Sequence, residues 1–118
     1  MSIISRCELG YWKLVTSDVI DYELSRMEDT YKLEQVQGLC RASSERLEMT
    51  KQDKERAEHF QRHGIKPMDS YHLSIAEASK IDVFLTTDRK LLNSASKLGL
   101  AFAVKNPVSW LMEVIDYE

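Results

Sequence analysis

The chain has 118 residues, the size of one compact domain with a single hydrophobic core. Hydrophobic residues make up 43% of it and charged residues 30%, a globular balance rather than a disordered one. Sixteen Lys and Arg against nineteen Asp and Glu give a formal charge of −3, which argues against a protein that coats nucleic acid through bulk charge and leaves open one that uses a local basic rim or phosphate-neutralising metal ions.

The first eight residues, MSIISRCE, are too short and polar for a secretory signal, and no apolar run approaches the ~18 residues of a membrane span. Cys7 and Cys40 lie far apart without ligand spacing, so two reduced thiols in a cytoplasmic protein are expected. Residues 2–9 read as the tail of a helix stopped by Gly10. A strand follows over Trp12–Thr16, then a helix capped by Ser17 or Asp18 that carries Val19, Ile20, Tyr22, Glu23 and Leu24. The next helix covers Tyr31 to Ala42, with Leu33, Val36, Leu39 and Cys40 on one stripe. Arg46–Thr50 is the weakest strand signal and also reads as a helix end. A charged helix runs from Lys51 to His63 and stops at Gly64.

Pro67 predicts an extended turn, after which Asp69 begins a helix with Leu73, Ala76 and Ile75 inward. Asp82–Thr86 is a strand, Asp88 opens a helix with Leu91, Leu92, Ala95 and Leu98 inward, and Gly99 closes it. Ala101–Val104 is the last strand, and Asn106-Pro107 turns the chain into a helix over Val108–Val114 with Trp110 and Leu111. Strands separated by helices imply βα crossover units, hence an α/β domain with a mainly parallel sheet over residues 1–118.

In open parallel sheets, ligands bind beyond the carboxyl ends of the strands. Glu23, Asp69 and Asp88 are the acidic residues placed to reach that edge. Carboxylates without a cysteine–histidine cluster suit a hard cation such as Mg²⁺ or Mn²⁺. Such an ion activates water and stabilises charge on a phosphodiester. Each residue also has an ordinary structural reading. Asp69 and Asp88 occupy helix-cap positions, and Glu23 fits a solvated helix face. His72 suits a packed or hydrogen-bonded position, and His59 and His63 have the spacing of a zinc pair without a third ligand. Trp12 and Trp110 read as core or interface aromatics.

The stretch from Gly64 through Asp69-Ser-Tyr-His-Leu-Ser-Ile-Ala, then Asp82-Val-Phe-Leu-Thr-Thr-Asp, then Val104-Lys-Asn-Pro-Val-Ser-Trp-Leu resembles the C-terminal half of a PIN domain. This is the family of small metal-dependent ribonucleases that includes many toxins of toxin–antitoxin pairs. Val15-Thr-Ser-Asp-Val-Ile-Asp-Tyr-Glu-Leu resembles the family's earlier strand and acidic helix. The resemblance implies a three-layer α/β/α fold and a site in which Glu23, Asp69 and Asp88 ligate Mg²⁺ or Mn²⁺. It implies that Thr87 supports the geometry of the attacking water and that single-stranded or looped RNA is the substrate class.

By the same match, Met1–Gly10 corresponds to the end of the family's first helix. The domain is therefore expected to be N-terminally truncated, without the first strand and first acidic residue. Three carboxylates hold a metal less tightly than four, so the expected activity is reduced. The competing reading is a catalytically silent module that forms a homo-oligomer or binds an antitoxin-like protein. An unfilled slot in the sheet, with Trp12 and Trp110 as further apolar surface, favours a homo-oligomer.

Overall fold

The computed structural model describes residues 3–115. The chain divides into two compact units, residues 1–49 and 50–118. Both are built from helices and parallel strand pairs, the α/β fold the alternating pattern predicts.

The first unit contains α1 (Ile3–Glu8), β1 (Val15–Ser17), α2 (Asp18–Ser25), α3 (Thr30–Arg41) and β2 (Glu45–Leu47). Gly10 ends the α1 turn at φ +85°, a conformation glycine adopts without a steric cost. β1 pairs in parallel with β2, with Val15 opposite Glu45 and Ser17 opposite Leu47. The strand thus starts three residues later than Trp12. The Ser17 hydroxyl accepts the Ile20 N–H at 3.3 Å and opens α2 as expected. The β2 register is tied down from α2: Asp18 accepts the Met49 N–H at 3.0 Å, and Arg46 is paired with Asp21 at 2.6 Å. On α3, Leu33, Val36 and Cys40 are half-buried; the Leu39 side chain lies outside the described residues. Trp12 is half-buried rather than exposed, with the Arg6 guanidinium 5.1 Å from its ring centroid.

The second unit contains α4 (Lys51–Arg62), α5 (Pro67–Ala78), β3 (Val83–Leu85), α6 (Arg89–Ala95), β4 (Ala103–Lys105) and α7 (Pro107–Ile115). β3 and β4 are parallel, Val83 opposite Ala103 and Leu85 opposite Lys105. A capping box starts α4: the Thr50 hydroxyl accepts the Asp53 N–H, and the Asp53 carboxylate accepts the Thr50 N–H. At its end the Gly64 and Ile65 N–H groups donate back to Gln61 and Phe60, at 3.0 and 3.2 Å, with Gly64 at φ +91°. This reversal folds α5 against α4. Phe60, Ile65, Leu73, Ala76, Leu91 and Phe102 form one buried cluster, flanked by Phe84, Leu98 and Val104. Ile75 is buried as well. Across the two helices Gln61 Nε2 donates to the buried Ser70 hydroxyl at 3.0 Å, and Arg56 makes a two-point ion pair with Glu77.

The start of α5 corrects the sequence reading. Pro67 is not in an extended turn: it is the first helical residue, where its fixed φ suits the helix and its absent N–H costs nothing. The N-cap is Lys66, and Asp69 lies in the first turn. At the far end of α5, Lys80 takes φ +54° where the helix-ending bonds to Glu77 and Ala76 require a left-handed residue. Among the described residues no helix is long and apolar enough to cross a membrane.

Two substitutions test this packing in opposite directions. Phe60→Ala empties a fully buried site and is expected to cost about 3–5 kcal/mol. Lys80→Gly removes a left-handed non-glycine residue and is expected to gain up to about 1 kcal/mol. Urea unfolding of the three proteins checks both signs.

Candidate metal and phosphate site

Asp88 follows β3 and is held by a web of short-range bonds. Its N–H donates to the Thr86 hydroxyl at 3.2 Å. Its Oδ1 accepts the N–H groups of Lys90 at 2.9 Å and Leu91 at 3.2 Å, which makes it the N-cap of α6. Both capping bonds use the same oxygen, so the rotamer is fixed while Oδ2 takes neither of them. The cap predicted for Asp88 is present, and it does not consume the whole carboxylate.

Asp69 reaches the same place from α5. Asp69 and Asp88 both line a shallow, open concavity with a volume of about 10 Å³, together with Ile65, Lys66, Lys90, Leu91 and Ser94. Both residues are half-buried. Two oxygen-donor side chains are therefore brought to one opening by helices that start at its rim. Mg²⁺ keeps most of its water and typically takes one or two protein carboxylates, completing its shell from substrate phosphate. The donor set here fits such an ion and does not fit a soft one.

Glu23 belongs to the first unit, exposed on α2. Among the described residues no three His, Cys, Asp or Glu side chains are grouped so as to hold a metal. Thr87 is exposed and does not line the concavity; the hydroxyl that contacts Asp88 is that of Thr86.

Lys66 and Lys90 were not singled out by the sequence pattern, although each lies within three residues of a candidate ligand. Lysine at the exposed start of a helix carries no periodic signal, so only proximity in the folded chain draws attention to them.

The other candidates have structural roles. His72 is half-buried, its ring 6.5 Å from that of Phe84. His59 and His63 lie 4.6 Å apart by ring centroids, and His63 Nδ1 is 3.0 Å from the His59 carbonyl oxygen. Desolvation, followed by the Arg56 charge, holds His59 below the ordinary histidine range. Both cysteines are free thiols. Burial pushes each above the usual thiol range, with Glu8 adding to the shift at Cys7 and Asp21 at Cys40. Thiolate is scarce at neutral pH in both, which argues against a cysteine nucleophile.

The cap and the charge of Asp88 are separable. Asn caps a helix about as well as Asp, so Asp88→Asn is expected to leave the melting temperature nearly unchanged. Asp88→Ala is expected to cost about 1 kcal/mol, read by thermal unfolding.

A model of the PIN domain matches residues 2–97, which include Glu23, Asp69 and Asp88 and stop before β4. No curated protein and no solved structure gives a significant match. A family match over most of its length, on a fold of parallel strand pairs and helices, identifies the chain as a member of the PIN-domain family.

Proposed function

We propose that the chain is a metal-dependent endoribonuclease domain that hydrolyses phosphodiester bonds in single-stranded or looped RNA. The observation that supports this most directly is the convergence of Asp69 and Asp88, from two different helices, on one open concavity. In this reading Asp69 and Asp88 hold Mg²⁺ or Mn²⁺, and Glu23 is the third carboxylate through its match to the family's acidic helix.

The chemistry a bound cation supplies is Lewis acidity toward water and toward the phosphodiester. The protein's part is to hold the oxygens in place. The Lys90 and Leu91 N–H groups fix one oxygen of Asp88 and leave the other to face a ligand. Thr86 holds the Asp88 backbone in register, and Thr87, by the family resemblance, orients the attacking water. Leu91 and Ile65 line the concavity beside the carboxylates and lower the local polarity, which strengthens charge interactions there.

A second reading is a catalytically silent PIN-like module that forms a homo-oligomer or docks an antitoxin-like partner. It draws on α7, where Val108 and Met112, four residues apart on one helix face, are 68% and 63% exposed. A toxin of a toxin–antitoxin pair combines both readings, with a nuclease site and an apolar docking face on one small chain.

Calorimetric titration separates the two. Mn²⁺ is expected to bind the wild type and to lose at least tenfold in affinity in Asp69→Asn and in Asp88→Asn, with metal-dependent cleavage of an RNA oligomer falling in parallel. Equal metal binding in all three proteins would remove the site assignment. Assembly is read by sedimentation at micromolar concentration. A dimer or larger species that dissociates in Val108→Asp/Met112→Lys is expected, and a wild-type monomer would reject the homo-oligomer.

A further inference from the structure

The concavity lined by Asp69 and Asp88 is lined as well by Lys66 and Lys90. Lys66 caps α5 with its backbone alone: its side chain makes no cap hydrogen bond. Lys90 stands in the first turn of α6, two residues past Asp88, and contributes its backbone N–H to the cap. Both lysines are exposed, and among the described residues neither forms an ion pair. Arg46, Arg56, Lys13 and Lys105, by contrast, are each matched to a carboxylate.

The two lysines are ion-paired to neither acid, a state they share with other exposed lysines such as Lys51 and Lys97; what sets them apart is their place beside Asp69 and Asp88. They are easily explained as the half of the site that meets the substrate. A chain of net charge −3 repels a polyanion at long range, so attraction must be local. The bulk of the affinity for a nucleic acid comes from Lys and Arg at its phosphates, and such contacts fix the strand's position without reading its sequence.

We propose that Lys66 and Lys90 are positioning residues that grip the backbone phosphates of a single RNA strand beside the Asp69–Asp88 pair. The proposal rests on the nuclease reading for its purpose, and it is independent of metal for its binding energy. A flexible ammonium binds phosphate as a point charge and is indifferent to the base attached. The site therefore takes unpaired RNA with little sequence preference, and whatever selectivity the protein has comes from elsewhere in the chain or from a partner.

The experiment is fluorescence anisotropy of a labelled single-stranded oligoribonucleotide in EDTA, from 50 to 200 mM salt. EDTA removes cleavage and metal bridging, so only the protein's own contacts are read. Each neutralised phosphate adds about 0.7 to the slope of log affinity against log salt for single strands. Lys66→Ala/Lys90→Ala is expected to lower that slope by about 1.4 and to weaken binding at 50 mM salt on the order of tenfold. Lys66→Arg/Lys90→Arg is expected to restore both, which a packing role would not predict. Lys97→Ala, exposed beyond the end of α6 and outside the concavity, is the control and is expected to match the wild type. Asp69→Asn is expected to bind RNA as well as the wild type or better, because a repelling carboxylate is gone.

An unchanged slope in the double alanine variant, or no RNA binding by the wild type at 50 mM salt, would overturn the proposal. The nuclease reading fails separately. If the lysine variants shift the slope while Mn²⁺ binding ignores Asp69 and Asp88, the phosphate grip stands and the metal assignment falls. If metal binding follows the aspartates while the lysines are silent, the reverse holds.

Discussion

The contact of α4 with α5 is the constraint on which the candidate site depends. Phe60 and Leu73, both fully excluded from water, belong to the cluster that locks these helices together, and Ile65 enters it from the turn between them. That turn is held by the backbone bonds of His63, Gly64 and Ile65 and needs one left-handed glycine. Because Ile65 is buried and Pro67 is already helical, Lys66 is confined to one exposed position between them, and Asp69 follows in the first turn of α5. The same cluster includes Leu91 of α6, which fixes the helix that Asp88 caps. Both carboxylates are thus placed by one apolar core, and a local loosening of that core would move them together.

Much of this was legible in the residues because it rests on local rules. Gly64 marked the end of α4, Ser17 and Asp88 marked helix starts, and the inward positions Leu73, Ile75, Ala76, Leu91 and Ala95 followed from spacing alone. The family was legible for a related reason: its motif is a run of short local patterns, and the match over residues 2–97 contains all three candidate acids. α5 starts two residues earlier than the pattern predicts, because a proline reads as a breaker unless its place at the first helical position is considered. β1 began later than expected because apolar content extends through Trp12 and Leu14 while ladder pairing begins only at Val15. Hydrophobicity reports burial, and pairing needs a partner strand alongside.

The lysines were illegible for a different reason. Charge summed over the chain points away from nucleic acid, and no window around Lys66 or Lys90 is notably basic. Their meaning depends on what they stand beside, which is a property of the folded unit. Net charge is a statement about long-range fields; recognition of a phosphate is decided within a few ångströms.

Two carboxylates in one opening repel each other, and the local structure explains why the fold tolerates them. Each acid sits in or at the first turn of its own helix, where backbone N–H groups point outward without intrahelical partners. Asp88 takes two of those donors directly, and Asp69 lies in the first turn of a twelve-residue helix, whose dipole favours negative charge at that end by about 0.3–1 kcal/mol. Each helix start therefore offsets part of the cost of the acid it carries. In the proposed reading, acids on helix starts with exposed lysines beside them give one opening both signs of charge, which is what a phosphate bridged to a cation would meet.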